Sequence, residues 1–261
     1  MLIDLTGRTA LVTGSTAGIG LAIAEGLHAS GATVILNGRT DERVAAAAEK
    51  FGTSERVRGV AADIGTAAGC QAVVEAEPEV DILVNNAGVF SPQPLFEIPD
   101  AEWERFFAVN VMSGIRLSRH YVPAMTKRQW GRTVFVSSES AVQIPPEMVH
   151  YGTTKTAQLA VARGMAEAVR GTGVTVNSVL PGPTASEGVE RFVREMVGDE
   201  IESMEEAGRI FVERERPTSL LGRLASAEEV ANLVVYLCSD QAAATTGAAL
   251  RVDGGVLRGV L

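Results

Sequence analysis

Cysteine and histidine are scarce in this chain. Its 261 residues include two cysteines, Cys70 and Cys238, and three histidines, His28, His120 and His150. None of them stands at the short spacing that metal ligands or a redox pair would need. The sequence therefore predicts no metal site and two buried, unreactive thiols.

Runs of basic residues and long apolar stretches are also missing. The net charge is −9, from 23 Lys and Arg against 32 Asp and Glu, and no basic cluster offers a surface for nucleic acid or for an anionic membrane. The longest apolar runs fall far short of a membrane span. The N-terminal stretch carries an acid and no basic start, unlike a secretory signal. We expect a cytoplasmic protein that binds neither nucleic acid nor membrane.

Short β-branched segments alternate with longer amphipathic stretches along the chain. Seven segments have the composition of strands: RTALVT, TVILN, RVRGVAA, DILVNN, TVFVSS, VTVNSVL and AALRVDGG. They are apolar on both faces, as parallel strands covered by helices must be. Connections are short and no linker divides the chain. The pattern predicts one α/β domain over residues 1–261, with a doubly wound parallel sheet of seven strands.

One segment breaks this alternation. Residues 183–217 are rich in Glu and Arg and lie between the sixth and seventh predicted strands. Their pattern is typical of helices inserted into the fold. We predict that this segment forms a lid over a substrate pocket.

A glycine-rich turn follows the first predicted strand. TGSTAGIG, residues 13–20, has Gly14, Gly18 and Gly20 between that strand and the first helix. Glycine permits a tight turn and lets backbone N–H groups approach a pyrophosphate, whose charge the helix N-terminus favours. A purely structural turn also uses glycine, but the strand-turn-helix context favours dinucleotide binding.

A second pattern is the pair Tyr151 and Lys155 in HYGTTKTAQLA, residues 150–160. Positions four apart share one face of a helix, so the lysine ammonium can lie beside the tyrosine ring. The same spacing occurs by chance in many helices, so the pair alone does not establish chemistry.

Together these motifs resemble the short-chain dehydrogenase/reductase family, whose glycine motif has the spacing T-G-x-x-x-G-x-G. The resemblance extends to NNAG at 85–88, Asn110, Ser138, Tyr151 with Lys155, PG at 181–182 and VDGG at 252–255. These matches span essentially the whole chain in the family's order. The resemblance implies a Rossmann fold with helices on both faces of the sheet. Similarity to 3-oxoacyl-carrier-protein reductases implies interconversion of a carbonyl and a secondary alcohol.

The resemblance also implies a catalytic tetrad. Tyr151 would exchange a proton with the substrate oxygen, and the charges of Lys155 and of an oxidised nicotinamide would lower the pKa of its hydroxyl. Ser138 would hold the substrate oxygen, with Ser137 as the rival assignment. Asn110 would distort its helix and hold a water that links the lysine to solvent.

The end of the second predicted strand bears on the choice of nucleotide. An NAD-selective site of this type usually has an Asp or Glu there for the ribose 2′-OH, but this chain has Gly38 followed by Arg39. Because an arginine can pair with a 2′-phosphate, NADP(H) is the favoured cofactor and NAD(H) the alternative. A solvated loop arginine is the other interpretation of Arg39, and Thr16 and Thr40 can only support a phosphate site.

By resemblance, Asp63 would contact the adenine, Pro181 and Gly182 would turn beside the nicotinamide, and Thr184 or Ser186 would bind its carboxamide. The predicted cofactor site comprises Gly14, Ser15, Thr16, Gly18, Ile19, Gly20, Arg39, Asp63, Ile64, Asn86, Ala87, Gly88, Tyr151, Lys155, Pro181, Gly182, Thr184 and Ser186.

The substrate pocket is specified least. Ser138, Gln143, Met148, His150 and Tyr151 are predicted to wall it together with residues 184–216, because they surround the tyrosine in chain order. His150 is either a second acid or a packing residue at the rim. Neither the substrate nor the physiological direction follows from the sequence, since one scaffold of this kind serves many carbonyl compounds.

Three other functions compete with a reductase that uses NADP(H). An NAD-dependent alcohol dehydrogenase of the same family would use the same tetrad. A non-catalytic dinucleotide sensor would be indicated by loss of Ser138, Tyr151 or Lys155, and none is lost. A serine hydrolase would need the G-x-S-x-G elbow, which the chain lacks.

The resemblance further implies a homotetramer or a homodimer with a small-molecule partner. Apolar stripes within residues 103–125 and 151–168 are candidate helix faces for one contact, and VVYLCSD and AALRVDGG for another. The same stripes serve equally well as intramolecular core.

Overall fold

The computed structural model describes residues 2–197, 201 and 203–260. Seven strands lie within these residues: Thr9–Val12 (β1), Thr33–Gly38 (β2), Val57–Ala61 (β3), Ile82–Asn85 (β4), Gly131–Val136 (β5), Val174–Pro181 (β6) and Ala249–Val252 (β7). They form one sheet in the order β3-β2-β1-β4-β5-β6-β7, and every neighbouring pair is parallel. The predicted seven-stranded, doubly wound sheet is confirmed. The strand order reverses between β1 and β4, where such sheets bind ligands.

Helices cover both faces of the sheet. They are Gly18–Ala29 (α1), Asp41–Glu49 (α2), Ala67–Ala76 (α3), Asp100–Phe107 (α4), Ser113–Arg128 (α5), Val149–Ala168 (α6), Glu187–Val197 (α7), Met204–Glu215 (α8) and Ala227–Leu237 (α9). One apolar cluster lies between the sheet and α1 with α9. A second lies between the sheet and α3, α5 and α6.

Successive residues of the central strands enter opposite clusters. Leu11 and Ile35 pack with α3, α5 and α6, whereas Val12 and Leu36 pack with α1 and α9. All four side chains are fully buried, and burying each aliphatic side chain contributes about 1.5–3 kcal/mol. Because side chains alternate along a strand, a strand that is covered on both sides must be apolar throughout.

The two edge strands depart from that expectation. In β3, Arg58 and Gly59 are exposed, and Arg58 pairs with Glu77 at the surface. In β7, Ala249 and Arg251 are exposed. The prediction of two apolar faces is wrong for these strands, because at the edges of the sheet part of each strand stays open to solvent.

The segment predicted as a lid contains α7 and α8, and residues 198–200 and 202 within it lie outside the described residues. Phe192 and Val193 of α7 pack with Phe211 and Val212 of α8 and with Met148 next to α6. The inserted helices therefore share a small apolar cluster separate from the sheet. Their action as a lid stays a prediction.

Both cysteines are free and buried, as predicted. Burial raises the pKa of the Cys238 thiol to about 12, which makes it a poor nucleophile. Among the described residues there is no group of three or more His, Cys, Asp or Glu that could hold a metal ion. Within the same residues, no helix combines the length and hydropathy that crossing a bilayer requires.

Candidate active site

A groove opens at the carboxyl ends of β1, β2 and β4, at the point where the strand order reverses. It is lined by Gly14, Thr16, Gly38, Arg39, Asp63, Ile64, Asn86, Ala87 and Gly88, together with several residues that the sequence did not single out. Open α/β sheets bind dinucleotides in this position. The structure therefore brings together most of the residues predicted for the adenosine and pyrophosphate end.

The glycine turn is pressed against the segment that follows β4. Gly14 has a φ of +61°, and a Cβ placed on it would lie 3.0 Å from Ala87 Cα. A Cβ on Gly20 would lie 2.4 Å from Asn86 Nδ2. Only glycine fits both positions, so the turn has the close backbone packing that a pyrophosphate cradle needs.

The N-terminus of α1 faces the same groove without a polar side chain to cap it. Ala17 precedes α1 and makes no side-chain cap, and the first turn of the helix contains no acidic residue. By contrast, Thr40 caps α2 and Thr66 caps α3. The uncapped N–H groups and the positive end of the helix dipole suit a phosphate. These features of the turn and the helix fit a dinucleotide.

Thr13 and Ser15 hold this turn in place. The Thr13 hydroxyl oxygen accepts hydrogen bonds from the backbone N–H groups of Asn86 and Ala87, at 2.9 and 3.0 Å. Ser15 is fully buried, donates to the carbonyl of Val12 and accepts from the N–H of Asn37. Ser15 was predicted as a cofactor contact, but its side chain joins β1 to β2 and does not line the groove. Thr13 belongs to the glycine motif and was not recognised.

The far end of the groove carries positive charge. Arg39 is exposed on its wall, where Arg43 and Arg105 also lie. Arg105 is engaged by both carboxylate oxygens of Glu102. A Cβ on Gly38 would lie 2.4 Å from Thr16 Cγ2, so an acidic side chain at position 38 would force Thr16 to move. Thr40 serves as the α2 cap, not as a wall of the groove.

The groove meets a second cavity at Asn86 and Gly88, which line both. This cavity has a volume of about 210 Å³. It brings together Ile19, Ser138, Met148, Tyr151, Lys155, Pro181, Gly182, Thr184 and Ser186. Residues that are far apart in sequence thus converge, because β4, β5, β6 and α6 all end or begin at this point.

Asn110 lies behind the cavity in a π-helical turn, Ala108–Met112, between α4 and α5. Its side-chain oxygen accepts from the Val89 N–H at 2.8 Å, and its amide nitrogen donates to the Thr154 hydroxyl at 2.9 Å. A Cβ on Gly88 would lie 3.4 Å from Asn110 Oδ1 and 3.5 Å from Lys155 Nζ. The helix distortion implied for Asn110 is present, and π turns occur frequently at functional sites.

The two serines after β5 point to different partners. The Ser137 hydroxyl donates to the carbonyl of Lys155 at 2.9 Å. The Ser138 hydroxyl accepts from the N–H of Ser140 and donates to Glu139 Oε2 at 2.5 Å. The Ser138 side chain also lowers the pKa of the Tyr151 hydroxyl, an effect smaller than those of burial and of Glu139. The geometry favours Ser138 over Ser137 as the serine that adjoins the tyrosine.

Burial dominates the charge states of Tyr151 and Lys155. Lys155 Nζ donates to the Val136 carbonyl at 2.9 Å and lies 5.6 Å from the centre of the Tyr151 ring. Desolvation lowers the pKa of Lys155 to about 7. Desolvation also raises the pKa of Tyr151, and the charge of Glu139 adds to that effect. The sequence predicted a lowered pKa for Tyr151 because it included the charges of Lys155 and of a bound oxidised nicotinamide. In the protein alone, burial has the larger effect on this pKa.

Most of the sequence matches the model of a known protein family. The family model described as short chain dehydrogenase matches residues 8–196. The chain belongs to the short-chain dehydrogenase family.

This short-chain dehydrogenase is 49% identical over its whole length to YvaG, an uncharacterized oxidoreductase of Bacillus subtilis (strain 168), which it also covers completely. It is 32% identical to the 3-oxoacyl-[acyl-carrier-protein] reductase FabG of Aquifex aeolicus, over 98% of this chain and 100% of that protein. The L-sorbose reductase of Gluconobacter frateurii, solved with NADPH and L-sorbose, superposes with a TM-score of 0.92 at 35% identity, over 100% of both chains. The protein is therefore an NAD(P)-dependent oxidoreductase, and the resemblance is confirmed.

Two residues predicted to wall the substrate pocket of this dehydrogenase do not line it. Gln143 is exposed, and His150 is fully buried against α4, with its ring 4.1 Å from that of Phe106 and 6.0 Å from that of Trp103. Successive helical residues point about 100° apart. His150 therefore faces away from the cavity that Tyr151 enters.

Several cavity residues of this dehydrogenase were not named individually from the sequence, and five of them have large or charged side chains. They are Phe90, Glu139, Phe192, Phe211 and Arg216. Phe192, Phe211 and Arg216 fall within the predicted lid, and Glu139 directly follows Ser138. Their positions in the chain, within the lid segment or next to a predicted site residue, were the signal that could have identified them. Both hydroxyls proposed for the carboxamide line the cavity. Thr184 donates to the Gly182 carbonyl at 2.9 Å, and Ser186 accepts from the Val189 N–H at 3.4 Å.

Proposed function

We propose that this dehydrogenase uses NADP(H) to interconvert a carbonyl and a secondary alcohol, with Tyr151 as the proton donor and acceptor. The observation that carries the proposal is the convergence of Ser138, Tyr151 and Lys155 in a cavity that opens into the dinucleotide groove. When bound, the cofactor supplies or accepts a hydride at its nicotinamide ring. The remaining tasks are binding, orientation and proton transfer, and they belong to residues of this chain.

Different groove residues would bind different parts of the cofactor. Gly14, Gly18 and Gly20, with the N-terminus of α1, would hold the pyrophosphate. Asp63 and Ile64 would contact the adenine, and Arg39 would pair with the 2′-phosphate. Ile19, Asn86, Ala87, Gly88, Pro181 and Gly182 would line the floor toward the nicotinamide, with Thr184 or Ser186 at its carboxamide. Support comes from the L-sorbose reductase, solved with NADPH, and from a putative gluconate 5-dehydrogenase of Beutenbergia cavernae, 32% identical, solved with NADP.

Tyr151 is suited to protonate a carbonyl oxygen. Its raised pKa keeps the hydroxyl protonated at neutral pH, so it can donate to an oxygen on which negative charge develops. The Ser138 hydroxyl lies beside it as a second polar contact. Lys155, whose pKa is about 7, can take up and release a proton near neutrality. Asn110 would hold the water that connects this lysine to solvent.

Cofactor choice is tested by titrating the purified protein with NADPH and NADH in parallel, with binding monitored by calorimetry or intrinsic fluorescence. We expect NADPH to bind more tightly, and Arg39→Ala to lose that preference while its affinity for NADH is unchanged. A charge-assisted hydrogen bond to phosphate contributes about 1.5–3 kcal/mol, equivalent to roughly tenfold to a hundredfold in affinity. Equal or tighter NADH binding would replace this proposal with the NAD-dependent alcohol dehydrogenase.

Catalysis is tested separately with Tyr151→Phe. Turnover of carbonyl compounds should disappear while NADPH affinity stays within a few-fold of the wild type, because the variant removes one hydroxyl and keeps the ring. A protein that binds NADPH but turns over no carbonyl compound or alcohol would instead be a dinucleotide sensor.

The assembly state and location also remain proposals. We propose a homotetramer, with a homodimer as the smaller alternative, in the cytoplasm. Phe107 at the end of α4 is exposed, and β7 lies at an edge of the sheet, so both predicted faces are accessible in one chain. Sedimentation that shows a stable monomer at micromolar concentration would overturn the assembly proposal.

A further inference from the structure

The wall of the catalytic cavity contains a buried pair of opposite charges. Glu139, directly after Ser138, is 5% exposed, and Arg216, directly after α8, is 8% exposed. Arg216 Nε donates to Glu139 Oε1 at 3.1 Å. Both residues line the cavity that contains Tyr151. Removing two charges from water is unfavourable unless their geometry and hydrogen bonds offset the desolvation, so this pair requires an explanation.

The carboxylate of Glu139 touches the serine that adjoins the reacting tyrosine. Its Oε2 atom accepts from the Ser138 hydroxyl at 2.5 Å, and its Oε1 atom accepts from Arg216. A carboxylate has about four lone-pair positions. Two of them are used, so Glu139 retains the capacity to accept another hydrogen bond from within the cavity.

The guanidinium of Arg216 likewise retains unused donors. Its NH1 group donates to the Glu215 carbonyl at 2.7 Å and lies 3.7 Å from Glu147 Oε1. Within the described part of the chain, its NH2 group has no hydrogen-bond partner. An arginine presents five N–H donors. The pair therefore offers both an acceptor and donors at one end of the cavity.

The charges nearby disfavour an anion at this end. Two carboxylates, Glu139 and Glu147, adjoin one guanidinium, Arg216. A substrate carboxylate would add a third negative charge close to Glu139, and like charges repel strongly where water is excluded. A neutral hydroxyl can donate to Glu139 and accept from Arg216 without that repulsion.

Part of the cavity wall is apolar. Phe90, Met148, Phe192 and Phe211 line it, and the rings of Phe90 and Tyr151 lie 6.2 Å apart. The polar pair adjoins Ser138, whose hydroxyl donates to Glu139. This arrangement suits a substrate whose polar group is close to its carbonyl and whose remaining part is less polar.

We propose that Glu139 and Arg216 select neutral substrates that carry a hydroxyl on the carbon next to the carbonyl, namely α-hydroxy ketones and, in the reverse direction, vicinal diols. The inference rests on the proposed function, because it takes Ser138 and Tyr151 as the residues that hold the reacting oxygen. When the Ser138 hydroxyl turns from Glu139 Oε2, its acceptor in this structure, to a substrate carbonyl oxygen, that oxygen lies within about 5 Å of Glu139 Oε2, two hydrogen-bond lengths away. A hydroxyl on the adjoining carbon extends into that gap.

The test compares three ketones that share one methyl-ketone core. Hydroxyacetone carries the hydroxyl, butanone replaces it with a methyl group, and pyruvate has a carboxylate in place of the whole hydroxymethyl group. With NADPH and the wild-type protein, kcat/KM for hydroxyacetone should exceed that for butanone by on the order of tenfold to a hundredfold, the value of a hydrogen bond to a charged group. Pyruvate should be the poorest substrate. Equal use of butanone, preference for pyruvate, or no turnover of hydroxyacetone would overturn the inference.

Two matched variants assign the selectivity to the pair. Glu139→Gln keeps the shape and removes the charge, so the ratio of kcat/KM for hydroxyacetone to that for butanone should fall at least fivefold. Glu147→Gln also removes a carboxylate near Arg216, but Glu147 does not line the cavity, so the ratio should be unchanged. NADPH affinity shows whether each variant is folded. If Glu139→Gln does not fold, Arg216→Lys is tested in its place, because lysine lacks the planar donors of arginine. The comparison of the three ketones with the wild-type protein does not depend on any variant.

The outcome is separable from that of the proposed function. Binding of NADPH and turnover of any ketone that Tyr151→Phe abolishes would support the oxidoreductase, whichever ketone is preferred. An active enzyme that treats hydroxyacetone and butanone alike would contradict only the role of Glu139 and Arg216. A protein with neither NADPH binding nor turnover would contradict both.

Discussion

Gln158 donates a hydrogen bond of 2.5 Å from its side-chain nitrogen to the main-chain carbonyl oxygen of Asn110. Gln158 is 1% exposed and lies on α6, one turn beyond Lys155. The carbonyl belongs to the π-helical turn between α4 and α5, where the regular helical hydrogen bonds are interrupted. The bond therefore ties the helix that carries Tyr151 and Lys155 to the turn that carries Asn110.

Replacing Gln158 by leucine should disturb both stability and turnover. The Asn110 carbonyl would lose its partner, which costs about 1–3 kcal/mol for a buried group. The variant would also remove Gln158 Oε1, which is buried without a partner among the described residues, and this gain offsets part of the cost. We therefore expect urea denaturation to show a net decrease of about 1 kcal/mol in the free energy of unfolding. A shifted Asn110 turn should lower kcat roughly tenfold, with NADPH affinity unchanged.

Gln71→Leu is the matched control for that variant. Gln71 is exposed on α3, and among the described residues its side chain bonds only to Glu75 four residues on, so its loss should change stability by less than about 0.5 kcal/mol. If Gln158→Leu behaves like Gln71→Leu in both stability and kcat, the bond to Asn110 has no positioning role.

His150 should make the folded protein sensitive to mild acid. Both of its ring nitrogens are buried without a hydrogen-bond partner in the described part of the chain. Burial lowers the pKa of His150; Glu102 of α4 partly offsets this, and Arg105 of α4 reinforces it. Below the unfolded-state pKa of about 6.5 the unfolded chain binds a proton that the folded chain does not, so the free energy of unfolding falls by up to about 1.4 kcal/mol per pH unit.

His150→Phe should remove that part of the pH dependence. Phenylalanine can pack against Phe106 and Trp103 without titrating. The measurement is urea denaturation at pH values from 5 to 8, roughly one unit on either side of the unfolded-state pKa. His120→Phe, at an exposed position on α5, is the control and should keep the wild-type slope. An unchanged slope in His150→Phe would rule out this histidine as the source.

The buried Lys155 should lower the free energy of unfolding of the wild-type protein. Its pKa is lowered to about 7 by burial, against about 10.4 in an unfolded chain. Below pH 7 the folded state carries the full penalty of a buried ammonium. As the pH rises from 7 toward 10, the folded-state lysine is neutral while the unfolded chain still binds the proton, and the penalty diminishes.

Lys155→Met should therefore be more stable than the wild type at neutral pH and inactive toward any ketone. The difference in the free energy of unfolding between the two proteins should shrink as the pH is raised from 7 to about 10. Lys50→Met, near the C-terminus of α2 on the surface, controls for the loss of a lysine and should show no such trend. A variant that is less stable than the wild type at pH 7 would mean that Lys155 stabilises the fold.

The fold followed from the sequence because it rests on local patterns, whereas the catalytic tetrad came from the family resemblance and stays a prediction. Strand periodicity predicted all seven strands, and the glycine spacing predicted the turn before α1. His150 was misplaced because adjacency to Tyr151 in the chain says nothing about direction around a helix. Glu139 and Arg216 come from segments 77 residues apart, and only the packing of α8 against the cavity brings them together. The direction of the Tyr151 pKa shift also required the structure, since burial and the charge of Glu139 both raise that pKa.

Gly20 and Gly164 are both helical glycines, and alanine should have opposite effects at the two positions. Gly20 lies in the first turn of α1, where a Cβ would be 2.4 Å from both Asn86 Nδ2 and Gly14 O. Gly20→Ala would push the glycine turn away from the segment after β4, with a loss of about 1–3 kcal/mol typical of overpacking. Because the same turn would hold the pyrophosphate, NADPH affinity should fall at least tenfold.

Gly164 lies in the interior of α6, and a Cβ there would meet no atom within 4 Å. Gly164→Ala should raise the free energy of unfolding by about 0.5–1 kcal/mol, because alanine loses less backbone entropy in a helix. NADPH affinity should be unchanged, as Gly164 is remote from both cavities. Chemical denaturation measures the free energy of unfolding of each variant, and NADPH titration measures its affinity for the cofactor. Unchanged NADPH affinity in Gly20→Ala would show that this turn does not contact the cofactor, whatever its effect on stability.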